Sequence, residues 1–167
     1  MKKLTGSEEK EAMGWIEEAA NVARQSPCLR AHCGSVIVKN GEIIGRGFNS
    51  PPQNNPEYRT CMNEYEIPAG FRHDRTCCIH SEQRSVMDAI RQGHDTKGSK
   101  IYFVNVDEDK NKIQAYRIVC TICSRTVLDA GISEFVLYWT DGVRSYDTHE
   151  FDQLSFQYKT PAIKNPQ

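Results

Sequence analysis

No stretch of this sequence is long and apolar enough to span a bilayer, and its opening MKKLTGSEEK leads into a charged helical pattern without the apolar core of a signal peptide. Both absences point to a cytoplasmic protein with no membrane partner. An excess of either charge is missing too. The 21 basic and 22 acidic residues leave a formal net charge of -1, without the broad basic footprint that grips a phosphate backbone. That speaks against a nucleic-acid partner and for a small charged substrate. No internal repeat is visible. The 167 residues suit one domain, residues 1–167, with about 1–6 and 160–167 expected to fray.

An even cysteine count is also lacking. Seven cysteines are many for a chain of this size, and an odd number argues against a fully paired disulfide framework. In a reducing compartment metal ligation becomes the leading explanation, while one or two of the seven, Cys33 first among them, read as small buried hydrophobes.

Thr5-x-x-Glu8 has the form of a capping box, and Met13, Ile16, Ala20 and Ala23 recur at helical spacing, which predicts a helix from about 7 to 24. Ser35 to Val38 and Glu42 to Phe48 flank Asn40-Gly41, a strong hairpin signal. Residues 49–78 are rich in turn formers and have no period, so they read as a long loop that needs an organiser. Further helices are expected over about 80–92, closed by Gly93, and over 120–130, closed by Gly131. Strands are expected at Lys100 to Val106 and Glu134 to Trp139, and Phe151, Phe156 and Tyr158 suggest a last helix. Strands alternating with helices in the second half imply parallel pairing there and a mixed sheet covered by helices.

Two motifs carry chemistry. His80-Ser81-Glu82 opens one predicted helix, and Cys120-Thr121-Ile122-Cys123 opens the next. Thiolates are stabilised by the free backbone N–H groups and positive dipole end of a helix N-terminus. Cysteines three apart share a helical face, so both sulfurs can reach one ion. One imidazole and two thiolates give a zinc ion three protein ligands and leave its fourth position open to water, as in a catalytic rather than a structural site. Glu82 falls on a different azimuth of the same turn as His80, where it can move protons without binding the metal. Shuffling this composition yields either motif alone roughly a third of the time, and both in this order, each opening a helix after β-rich sequence, in about one per cent of cases or fewer.

On these residues the chain resembles the cytidine deaminase-like superfamily, whose signature is His-x-Glu followed by Pro-Cys-x-x-Cys. The resemblance covers roughly residues 20–140. Within it, SPCLRAHCGSVIV, GEIIGRGFNSPP and CIHSEQRSVMDAI are most similar to the deoxycytidylate deaminases. The resemblance implies a three-layer α/β/α sandwich with a mixed five-stranded sheet, one catalytic Zn2+ and a homo-oligomer. Its implied reaction is hydrolytic deamination of a cytosine nucleotide, dCMP to dUMP plus ammonia, by attack at C4 with Glu82 as proton shuttle. It further implies that Asn49 contacts the sugar, backbone around Ser81 the pyrimidine, and Arg30 the phosphate. A second, structural zinc is implied at Cys28, Cys61, His73 and Cys78, with Cys77 able to replace Cys78; such an ion would order the long loop.

The chain departs from the pattern at Val119, where proline is usual, at Ser81 for alanine, at Ser50 for glycine, and in the insertion DEDKNKIQAYR. These leave the ligands intact and bear on substrate identity. Three other readings compete: a deaminase of another base or of a free nucleoside, a polynucleotide deaminase using Phe48, Tyr58, Tyr65 and Phe71 as a stacking platform, and a non-catalytic zinc-stabilised interaction module. The missing basic excess disfavours the second, and Glu82 disfavours the third.

Overall fold

A computed structural model describes residues 1–61, 77–115, 118 and 120–157. Its strands are β1 (Lys2–Lys3), β2 (His32–Lys39), β3 (Glu42–Phe48), β4 (Lys100–Val106), β5 (Lys112–Ile113), β6 (Glu134–Trp139) and β7 (Gly142–Asp147). Its α-helices are α1 (Gly6–Ala23), α2 (Ser81–Arg91), α3 (Thr121–Asp129) and α4 (Thr148–Phe156). The strands form one mixed sheet in the order β1-β7-β6-β4-β2-β3, with β5 paired to β4.

Helices flank both faces of this sheet, because each strand alternates its apolar side chains between two cores. Val36, Val38, Tyr102, Val104, Val136 and Val143 pack under Ala12, Ile16, Ala19 and Ala23 of α1. Ile37, Ile101, Phe135, Leu137 and Tyr146 point the other way, toward Val86 and Ala89 of α2, Val127 of α3 and Phe151 of α4. Each valine, leucine, isoleucine or phenylalanine among them, removed from water, contributes about 1.5–3 kcal/mol. On the second face Phe151 stacks on Phe135 with ring centroids 4.0 Å apart.

The hairpin between β2 and β3 turns as its sequence demands. Asn40 and Gly41 take φ of 52° and 77°, both positive, and Lys39 pairs with Glu42 across the turn. The pairing of β4 with β6 is parallel, as the alternation of strands and helices implies.

The sheet holds seven strands rather than the five expected. Five have six to eight residues, and β1 and β5 have two each. The short pair occupy free edges: β1 lies along β7, and β5, inside the insertion, lies along the end of β4. Of residues 1–6, Lys2 and Lys3 pair with Ser145 and Arg144, and Leu4 is buried in the α1 core. The expected fraying of 160–167 lies outside the described residues. Thr5 is the N-cap of α1, but its side chain makes no capping hydrogen bond.

This topology places the functional motifs. Strands β3 and β4 both run antiparallel to β2, so they are parallel to each other and to β6. Helices α2 and α3 follow β3 and β4 in the chain, and both begin at the carboxyl edge of the sheet, where open α/β sheets bind their ligands. Glycines bring α2 close to β3. A Cβ on Gly47 would stand 2.2 Å from the Ser81 carbonyl oxygen, and one on Gly45 2.4 Å from that of Ser85.

Candidate metal centre

His80 is the N-cap of α2 and Cys120 the N-cap of α3, while Cys123 lies in the first turn of α3. Their ligand atoms converge: His80 Nδ1 is 3.1 Å from Cys123 Sγ and 3.2 Å from Cys120 Sγ, and the two sulfurs are 2.8 Å apart. Among the described residues this is the one cluster of three or more histidine, cysteine or carboxylate donors able to hold a metal ion. Cys120 reaches it from a left-handed backbone, φ 66° and ψ 77°, and its sulfur accepts the Cys123 backbone N–H at 3.3 Å. A non-glycine residue holds that conformation only where its surroundings over-determine it.

The protonation pattern suits a cation. The hydrogen bond from Cys123, followed by that from His80, pulls Cys120 down to about 4. The same bond, donated to Cys120, lifts His80 to about 9. Cys123 keeps its proton, pushed up first by its bond to Cys120 and then by burial. Such donors release their protons when they bind a metal, so a divalent ion can take the protons' place among them. One imidazole and two thiolates are ligands of zinc chemistry, so the residues fit the ion they were expected to hold.

Glu82 stands beside this cluster and outside it. It is only 6% exposed, and burial, reinforced by the Cys120 charge, raises its carboxyl above the usual range. Ser81, fully buried, donates its hydroxyl to Glu82 Oε2 at 2.9 Å. The departure from alanine at this position thus gives the carboxylate a donor.

The remaining expected residues are distributed differently. Asn49 is buried next to the centre, but its amide is engaged by the protein: Oδ1 accepts from Ser26 Oγ at 2.8 Å and Cys33 N at 2.8 Å, and Nδ2 donates to the Ala31 carbonyl at 2.9 Å. It ties the segment from Ser26 to Cys33 to the end of β3, and the next residue, Ser50, bridges Ile79, just before His80. Arg30 is exposed in the bend after Cys28. Ser26 was not foreseen, since a serine before Pro27 carries no local signal of its long-range bond. Cys33 holds its proton tightly because of burial and the neighbouring Glu82 charge, as an inert thiol should.

The expected second zinc set is not gathered among the described residues. Cys28 is drawn down to about 5 by a hydrogen bond from Cys78, Cys78 also hydrogen-bonds Cys77, and Cys77 bonds Cys61, so these four thiols form one chain of contacts. His73 lies outside the described residues, as do Tyr65 and Phe71 of the stacking platform. Of its other members, Phe48 packs on the α1 core and Tyr58 is exposed.

Comparison with known proteins follows the same line. The family model for the cytidine and deoxycytidylate deaminase zinc-binding region matches residues 8–139. The chain belongs to this family. It is 23% identical over 139 residues to a deoxycytidylate deaminase of Schizosaccharomyces pombe, an alignment that covers 79% of this chain and 38% of that protein. The chain thus spans well under half the length of that relative. Among solved structures, the cytidine deaminase of Burkholderia pseudomallei superposes with a TM-score of 0.56 at 18% identity, covering 83% of this chain and 94% of that one. The dCMP deaminase of cyanophage S-TIM5 gives 0.52 at 19% identity, covering 75% and 80%. At these identities the two structures establish the deaminase fold. No described helix of this deaminase-family chain is long and apolar enough to cross a membrane.

Proposed function

We propose that the protein is a zinc-dependent hydrolytic deaminase of a cytosine nucleotide, converting dCMP to dUMP and ammonia. The observation that carries this reading is a buried carboxyl, Glu82, set beside a three-donor cluster of His80, Cys120 and Cys123. A structural zinc takes four protein ligands and has no use for a buried, proton-holding acid next to it. The likeness to a deoxycytidylate deaminase and the dCMP deaminase fold support the choice of base and phosphate.

His80, Cys120 and Cys123 would hold the ion. Bound zinc supplies Lewis acidity, which in favourable sites makes water ionise near neutral pH. Glu82 takes one proton of the attacking water and passes it to N3 of the pyrimidine, then takes the second from the new C4 hydroxyl and gives it to the amine, which leaves C4 as ammonia. A carboxyl whose proton affinity is raised by burial is suited both to accept and to return a proton, and the Ser81 hydroxyl donates to its Oε2. Asn49 orients the loop facing the sugar, the backbone around Ser81 meets the pyrimidine, and exposed Arg30 offers its charge to the phosphate.

Two measurements test this. A spectrophotometric screen of cytidine, deoxycytidine, their mono- and triphosphates, adenosine and guanine should show dCMP consumed fastest; preference for an unphosphorylated nucleoside would remove Arg30 from the substrate site. Zinc analysis should give one ion per chain in the purified protein and none in Cys120→Ser. A second ion retained by that variant would assign Cys28, Cys61, His73 and Cys78, with Cys77 as the alternative donor, to a structural site.

A further inference from the structure

The family match stops at residue 139, yet a helix beyond it reaches back to the metal-ligating turn. Helix α4 lays Asp152 and Ser155 against the start of α3. Ser124 Oγ lies 2.7 Å from Asp152 Oδ1 and 3.0 Å from Ser155 Oγ, and Thr121 Oγ1 donates to the Ser155 carbonyl at 3.2 Å. Thr121 directly follows Cys120, and Ser124 directly follows Cys123. The polar ring therefore grips α3 through the neighbours of both sulfurs.

Burial makes this ring directional. Ser124 is 1% and Ser155 4% exposed, so their hydroxyls find every partner within the protein: the Thr121 and Asp152 backbone carbonyls of their own helices, and, across the contact, each other and the Asp152 carboxylate. Apolar side chains at these positions could dock α4 equally well, but would not fix the rotation of α3. Arg125 adds a second hold, with its guanidinium 4.4 Å from the Phe156 ring centroid and Nε 3.9 Å from Asp152 Oδ1. What the ring secures is a turn that opens on Cys120 in a left-handed conformation, which needs external support.

We infer that Asp152, acting with Ser124 and Ser155, is a positioning residue for the metal centre. It holds the first turn of α3 so that both sulfurs meet His80, and thereby sets the affinity for zinc. This rests on the zinc-deaminase reading above and adds to it a part of the chain outside the family match.

The test measures zinc affinity by competition with a chromophoric chelator, together with the thermal midpoint and the 113Cd resonance of the cadmium-substituted protein. Asp152→Ala should bind zinc about 10- to 100-fold more weakly, as supporting residues of metal ligands typically do, and should shift the cadmium resonance. Asp152→Asn keeps an acceptor oxygen and should restore both readings toward wild type. Phe151→Leu loosens the packing of α4 on Phe135 without touching the ring, so it should lower the midpoint and leave zinc affinity in place. If Asp152→Ala does not fold, Ser155→Ala carries the same expectation. Unchanged affinity in the ring variants, or an equal loss in Phe151→Leu, overturns the inference. A wild-type protein that binds no zinc overturns the underlying reading instead.

Discussion

Glu82→Ala should retain its zinc and lose ammonia release by about 100- to 10,000-fold, the usual worth of a positioned proton donor and acceptor. The metal survives because Glu82 lies outside the three-donor cluster, and the helix survives because its first turn keeps His80 and the glycine contacts with β3. Glu82→Gln sharpens the test. It preserves shape and the hydrogen bond from Ser81 but cannot take a proton, so it should be as inactive as the alanine variant. Normal turnover in either variant, with zinc at full occupancy, would move the proton shuttle to another residue. Loss of zinc in both would make Glu82 a ligand and the centre a closed structural site.

The second large effect is steric and lies away from the chemistry. Gly47→Ala places a methyl group 2.2 Å from the Ser81 carbonyl oxygen and 2.4 Å from the Ser85 nitrogen, both backbone atoms that cannot rotate aside. The start of α2 must lift from the sheet, carrying His80 and Glu82 with it. Overpacking of this kind costs about 1–3 kcal/mol, and the thermal midpoint should fall by several degrees while turnover falls more steeply than stability. Gly14→Ala is the control: no atom lies within 4 Å of a Cβ there, so the substitution in α1 should stabilise by about 0.5–1 kcal/mol. Wild-type activity in Gly47→Ala would show that the close approach of α2 to β3 does not position the site.

The two effects differ in how readily the sequence discloses them. His80, Glu82, Cys120 and Cys123 are legible because metal ligation restricts the residue types and each helix N-terminus supplies a short, fixed spacing. The Asn40-Gly41 turn is legible for a similar reason, as both residues tolerate the positive φ that the hairpin imposes. Strands β4 and β6 show themselves through dense β-branched and aromatic residues. Strand β7 does not: Arg144, Ser145 and Asp147 interrupt its apolar character, although Asp141-Gly142 before it is a turn signal. Two lysines cannot announce β1, which exists only because β7 offers an edge. The bond between Ser124 and Asp152 spans 28 positions, and that between Ser26 and Asn49 spans 23; neither leaves a local pattern. Long-range polar pairs follow from the topology and become visible only once it is known.

The pairing of β1 with β7 has a consequence for the order in which the chain can fold. Lys2 and Lys3 are made long before their partners Ser145 and Arg144. During synthesis β1 waits until every other strand of the sheet has been made. The four residues of the metal centre and its acid are all made earlier, and the hairpin of β2 and β3 with α2 can gather before that edge closes. Helix α4 arrives later still, so a nascent chain can present His80, Cys120 and Cys123 to zinc before the clamp of Asp152 has formed. Metal capture would then begin loosely on the nascent chain and tighten only once α4 has docked.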